Sequence, residues 1–164
     1  MSGVVWRIAR KPYALDRRGI GAQQDGGRWN RPGIGVIYAG GSVAIAALEK
    51  YVHMESIVPP DLVLVRIDLP ENCSEEITDA ATLPDGWDLV PPGPVSMDFG
   101  TAWVQERRSL VLKVPSALVP EESNAVLNPD HPEFTAVAMT IKRPFAYDAR
   151  MYAGRLAPAK PGKR

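Results

Sequence analysis

Residues 36–51 read VIYAGGSVAIAALEKY. The first four are β-branched, small or aromatic, which suits a short strand at 36–39. Gly40 and Gly41 break it, and Ser42 is well placed to cap a helix. The spacing predicts that helix over 43–54, VAIAALEKYVHM. At about 100° per residue, Ile45, Leu48, Glu49 and Val52 share one inward stripe, and Lys50 points away from it. A carboxylate among three aliphatics must be paired, protonated or put to use, because burying it bare is costly. The plainer alternative is a glutamate at the stripe's edge, reaching solvent or pairing with an arginine.

Upstream, residues 3–9, GVVWRIA, read as a first strand. Residues 19–35, GIGAQQDGGRWNRPGIG, hold six glycines and a proline and read as a long loop. Loops of that length are uncommon in compact domains and are often functional. Arg28 and Trp29 are costly side chains to leave on a mobile excursion.

Downstream, LVLVRIDLP at 62–70 is a strand ended by Pro70. Residues 71–96 read as irregular, with turn chemistry in LPDGW and VPPGP. Ser96 or Asp98 is a candidate cap for a helix through FGTAWVQERR, and Ser109 opens the strand LVLKVP. Residues 115–133 read as loop, and FTAVAMTI at 134–141 as a last strand. The sum is about five or six strands and two helices without strict alternation, which favours α+β over a doubly wound parallel sheet. The expected organisation is one domain over 1–148 and a flexible basic tail over 149–164. That tail holds five basic residues and no acidic one.

Bulk composition narrows the function classes. The chain has 164 residues, 45% hydrophobic and 23% charged, as in ordinary globular domains. Nineteen acidic and 19 basic residues cancel, so there is no basic excess of the kind nucleic-acid binders carry. No apolar run approaches the roughly 18 residues of a membrane span. The single cysteine, Cys73, cannot close an internal disulfide, which suits a reducing, cytoplasmic setting. Two histidines and one cysteine argue against a zinc site, and no metal is expected. His53 reads as a helix-surface residue and His131 as a turn residue. No phosphate-loop or nucleophile-elbow pattern is present.

A polar set remains at element ends: Arg28 on the glycine loop, Tyr38 at a strand end, Glu49 on the helix and Ser109 at a strand start. An arginine fork suits a phosphate or carboxylate. A tyrosine offers a flat face with a polar tip. A glutamate can bind ribose hydroxyls and stabilise positive charge developing on a sugar. The set suits a nucleotide with a breakable glycosidic bond; the rival reading is an ordinary Arg–Glu pair that steadies a loop.

The stretch GGRWNRPGIGVIYAGGSVAIAALEKYVH closely resembles the first signature region of the RES domain family, named for an arginine, a glutamate and a serine. RRSLVLKVPSALVPEESNAVLNPDHPEF resembles its second region, and the two bracket roughly residues 5–145. By that resemblance the family residues fall on Arg28, Tyr38, Glu49 and Ser109, and its asparagines on Asn124 and Asn128, without assigned roles. The resemblance implies a toxin of a bacterial toxin–antitoxin pair with an ADP-ribosyltransferase-like fold of packed β-sheets and flanking helices. It implies NAD+ as substrate, destroyed by hydrolysis or phosphorolysis, or used to ADP-ribosylate a protein such as phosphoribosyl pyrophosphate synthetase. In that chemistry Glu49 stabilises charge on the ribose, and Arg28 clamps the diphosphate or positions the ribose. Tyr38 stacks on nicotinamide, while Ser109 bonds substrate or Glu49. The implied partner is an Xre-type helix-turn-helix antitoxin that covers the site, in a hetero-oligomer with two toxin chains. A catalytically silent binding module is the reading from another class.

Overall fold

The structure is a computed structural model that describes residues 3–154 and 157–158. Strand β1 (Val4–Arg10) leads through a short 3-10 turn to helix α1 (Ile20–Asp25), strand β2 (Ile37–Gly40) and helix α2 (Val43–His53). Then come β3 (Ile57–Val58), β4 (Leu62–Asp68), β5 (Glu75–Ile77), helix α3 (Pro94–Gln105), β6 (Val111–Pro115) and β7 (Ser123–Leu127). β8 (Ala138–Pro144) and β9 (Ala157–Pro158) complete the order. The class is mixed α+β. Seven strands form one sheet in the order β5-β6-β7-β2-β1-β4-β8, and β3 pairs with β9 apart from it.

Every neighbouring pair in the large sheet is antiparallel except β5 with β6. β1 and β4 align over seven register pairs, from Val4↔Asp68 to Arg10↔Leu62. β2 aligns with β7 from Ile37↔Leu127 to Gly40↔Asn124. Between β1 and β2 the register holds at a single pair, Trp6↔Gly40. The sheet is thus two halves joined at Gly40.

Side chains alternate across each strand and feed different clusters. Val5 and Ala9 of β1 join Ile37, Ala39, Val63, Val65, Ile67, Val111, Ala125 and Leu127 in one core. Ile8, on the other side of β1, packs with Leu62, Leu64, Met54 and Tyr147, against Val43, Ala47 and Tyr51 of α2. A third cluster gathers Trp29, Trp87 and Trp103 with Val36, Leu112, Val114 and Val126. Full burial of such an aliphatic side chain is worth about 1.5–3 kcal/mol of transfer free energy.

Ser42 caps α2 as expected, accepting the N–H of Ile45 at 3.2 Å. The helix's buried face differs from the expected stripe. Ile45 and Ala46 are its buried residues, while Val52 is 40% exposed. Lys50 does not point clear of the packed side: burial holds its ammonium below the ordinary lysine value, with Arg7 and Arg10 of β1 adding to the effect. Small Ala46 is the contact residue because Gly40 lies against it; a Cβ at Gly40 would stand 2.6 Å from the Ala46 nitrogen.

Other elements depart from expectation too. The 19–35 stretch is not all loop, since α1 occupies 20–25. α3 starts after Gly93, with Pro94 in its first turn and no side-chain cap; Ser96 lies inside it, fully buried. Asp98 pairs with Arg31 instead. β5 interrupts the 71–96 region, and β7 lies in what reads as loop at 115–133. The last long strand begins at Ala138, because residues 132–136 wind into a 3-10 turn that buries Phe134. At the C-terminus, residues 149–151 form another 3-10 turn, and Tyr152 packs on the Ile8 cluster. The expectation of a flexible tail at 155–156 and 159–164 lies outside the described residues.

Candidate active site

The GGRWN turn is held closed on itself. Gly27 N–H donates to the Asn30 carbonyl at 3.0 Å, with the reciprocal bond at 3.4 Å. Asn30 is fully buried, and its Nδ2 donates to the carbonyls of Ala22 at 2.7 Å and Ile34 at 2.9 Å. Its Oδ1 accepts the Tyr38 hydroxyl at 2.7 Å, and that hydroxyl in turn accepts the Trp29 N–H at 2.9 Å. Gly27 makes the approach of Tyr38 feasible: a Cβ there would sit 2.7 Å from the phenol oxygen. Burial pushes the Tyr38 phenol far above its ordinary value, against the smaller opposing effects of the Trp29 N–H and Arg28.

Trp29 anchors the turn from the other side. It is 3% exposed, stacks on Trp87 at 6.2 Å between ring centroids, and meets Phe99 edge-on. Between two fixed neighbours, Arg28 projects toward the 84–90 segment. Its Nη1 donates to the carbonyls of Trp87 at 2.9 Å and Leu89 at 2.8 Å. Burial lowers its pKa, and the charges of Glu49 and Asp88 act in the opposite direction. Glu49 thus acts on Arg28 electrostatically, and Tyr38 is bonded to the turn that carries Arg28.

Glu49 is half-buried and held through one oxygen. Its Oε1 accepts the Ser116 hydroxyl at 2.7 Å and the Asn124 Nδ2–H at 2.6 Å. Ser116 has no freedom to turn: its oxygen already accepts the N–H groups of Leu118 at 3.1 Å and Val119 at 3.2 Å, so its proton goes to Glu49. Among the described residues, no hydrogen bond reaches Oε2.

Ser109 is elsewhere. It is 3% exposed, donates to the Val111 carbonyl at 2.9 Å and accepts the Trp103 indole N–H at 2.8 Å. Those bonds complete the packing of α3 on β6 and leave Ser109 no part in the Glu49 cluster. The serine that meets Glu49 is Ser116, seven residues on at the far end of β6. The sequence signal for it was present: both serines stand in RRSLVLKVPS, one at each end of the strand. Asn128 is structural, donating to the Val104 carbonyl at 3.2 Å and accepting the Asp130 N–H at 3.0 Å. No group of three or more His, Cys, Asp or Glu is disposed to hold a metal among the described residues. No helix among them is long and apolar enough to cross a membrane.

The RES domain family model matches residues 4–155. The chain belongs to the RES domain family. A relative named "Prs ADP-ribosylating toxin", from Sphingobium sp. (strain YBL2), is 42% identical over 157 residues, covering 92% of this chain and 98% of its own. A relative named "Toxin Res", from Yersinia enterocolitica, is 36% identical over 151 residues, covering 90% and 99%. Among solved structures, the M. tuberculosis MbcT–MbcA toxin–antitoxin complex contains a chain that matches with TM-score 0.63 and 16% identity, over 94% of this chain and 89% of that one. At that identity the likeness is one of fold, and it agrees with the α+β class of this RES domain.

Proposed function

We propose that this RES protein is a bacterial toxin that binds NAD+ and breaks its nicotinamide–ribose bond. The observation that carries the reading is the Glu49 carboxylate, bound at Oε1 by Ser116 and Asn124 and electrostatically coupled to Arg28. Cleavage of a glycosidic bond puts positive charge on the sugar. A carboxylate already oriented in a half-buried site stabilises that charge without reorganising. Nicotinamide departs as a neutral ring, so the reaction asks for no strong general acid. Arg28 has guanidinium N–H groups beyond Nη1 for the diphosphate. Tyr38, its hydroxyl occupied on both sides, offers its ring face to nicotinamide and takes no part in proton transfer.

The acceptor of the ADP-ribosyl group is water or phosphate in the first reading, and the outcome is NAD+ depletion. The second reading is transfer to a protein, favoured by the 42% identical relative, whose name gives it ADP-ribosylation of Prs. A cytoplasmic antitoxin of the Xre helix-turn-helix type, in a complex with two toxin chains, is the partner we assign. Its place is over the cleft between the 19–35 segment and α2. The fold shared with a toxin crystallised with its antitoxin supports that part.

Incubation of the purified protein with labelled NAD+, with and without cell lysate, tests the reading. Free ADP-ribose or its phosphorylated counterpart supports depletion, and a labelled protein band supports transfer. Intact NAD+ under both conditions overturns both. For the partner, equal NAD+ affinity in the antitoxin complex and in free toxin would rule out occlusion.

A further inference from the structure

Asn124 lies on β7, opposite Gly40 of β2 and Val114 of β6. Its amide is used on one side only. Nδ2 donates to Glu49 Oε1 at 2.6 Å, while Oδ1 is buried with no hydrogen-bond partner among the described residues. A buried carbonyl without a donor costs folding free energy. Turning the amide over relieves nothing, since it would set Oδ1 against the Glu49 carboxylate. An apolar side chain of similar size would carry no orphan at all. Stability alone does not account for an asparagine here; among the described residues, the hydrogen bond its side chain makes is the one to Glu49.

Ser116 by itself leaves the carboxylate able to pivot about a single hydrogen bond. A second donor on the same oxygen, arriving from a different strand, fixes both its direction and its plane. We propose that Asn124 is a positioning residue for the NAD+ chemistry: it holds Glu49 Oε1 permanently as an acceptor, so that Oε2 is the oxygen presented to the ribose. This rests on the reading of Glu49 given under Proposed function.

Arg28 couples to Glu49 from the GGRWN turn, with Asp88 beside it on the 84–90 segment. On α2 itself, His53 Nδ1 engages the Glu49 main-chain carbonyl at 2.7 Å, and Lys50 is coupled to Arg7 and Arg10 of β1. In the turn after β6, Glu122 meets Ser116 through its backbone carbonyl and is exposed.

The experiment compares the parent with Asn124→Leu and Asn124→Asp, reading NAD+ consumption against pH and thermal unfolding. Asn124→Leu is expected to unfold at or above the parent's temperature, with kcat down by at least about tenfold and KM within about threefold, the pattern of an interaction lost in the transition state. In Asn124→Asp the new carboxyl donates to Oε1 while protonated, as the amide did, and repels Glu49 once ionised. Its kcat relative to the parent is therefore expected to fall as pH rises. A structural role would instead lower stability together with activity and give a ratio independent of pH. Parent-like kcat in Asn124→Leu overturns the proposal. If that variant fails to fold, a pH-independent ratio for Asn124→Asp overturns it. A parent that leaves NAD+ intact overturns the functional reading and this proposal together, whereas an active parent indifferent to Asn124 overturns this proposal alone.

Discussion

Ser116 gives its hydroxyl proton to Glu49 Oε1 at 2.7 Å across 67 residues of chain, while Ser109 donates its own to a carbonyl two residues away. Two serines at the two ends of one strand therefore do separable things. Ser116→Ala should lower NAD+ turnover sharply, and should lower Tm as well, because the buried Ser116 oxygen also accepts the Leu118 and Val119 N–H groups. Ser109→Ala should leave turnover in place and remove the acceptor of a fully buried indole N–H, costing about 1–3 kcal/mol. At this chain length that is a Tm drop of about 2–4 °C per kcal/mol. Measuring turnover and Tm for both variants decides it; the reverse pattern in turnover would return the role to Ser109.

Glu49→Gln keeps the shape of the side chain and removes its charge. Loss of one preorganised electrostatic group costs about 3–4 kcal/mol in the transition state, or roughly 10²- to 10³-fold in kcat. Far-ultraviolet circular dichroism confirms the fold of the variant, and NAD+ consumption gives the rate. A folded Glu49→Gln protein working at the parent's rate would remove Glu49 from the chemistry.

Arg28→Lys should damage the protein nearly as much as Arg28→Ala. A lysine keeps the charge but lacks the planar fork: after bonding the Trp87 and Leu89 carbonyls its ammonium has one N–H left, where the arginine has three, including a parallel pair for substrate. Faster amide exchange across 84–92 and slower NAD+ turnover are expected in both variants. Lysine matching the parent in both measurements would show that charge alone matters at this position.

Lys50 supplies a pH dependence. Its folded-state pKa lies below the ordinary lysine value because of burial, with Arg7 and Arg10 adding to it. Between the folded and unfolded values the unfolded chain binds the extra proton, so stability rises with pH across that window. Below it, the charged ammonium is a constant cost. Lys50→Met should raise Tm at neutral pH and flatten the alkaline rise, as read from a series of thermal melts. An unchanged slope would mean the ammonium is freely solvated.

The β2–α2 unit is legible in the sequence because its signals are local: β-branched residues, a glycine break, a serine cap. Glu49 stands out for the same reason. β7 is not legible, since SNAVL sits among prolines and acids and owes its extended form to pairing on both sides, with β2 and β6. Following the large aliphatics misplaces the inward face of α2, because the closest approach to the sheet is made by Ala46 over Gly40. Which serine reaches Glu49 is beyond spacing arguments, because it depends on the turn after Pro115 bending back over the helix.

The Gly40↔Asn124 pairing carries a consequence for the order of synthesis. Arg28, Tyr38 and Glu49 all leave the ribosome early, within one short stretch, yet the donors that orient the glutamate emerge only with residues 116 and 124. A nascent chain halted before β7 has every charged member of the site and no scaffold to aim it. Ribosome-bound chains truncated at residue 115 should therefore be inert toward NAD+, and a translating cell meets the toxin's activity only from copies in which residue 124 has emerged.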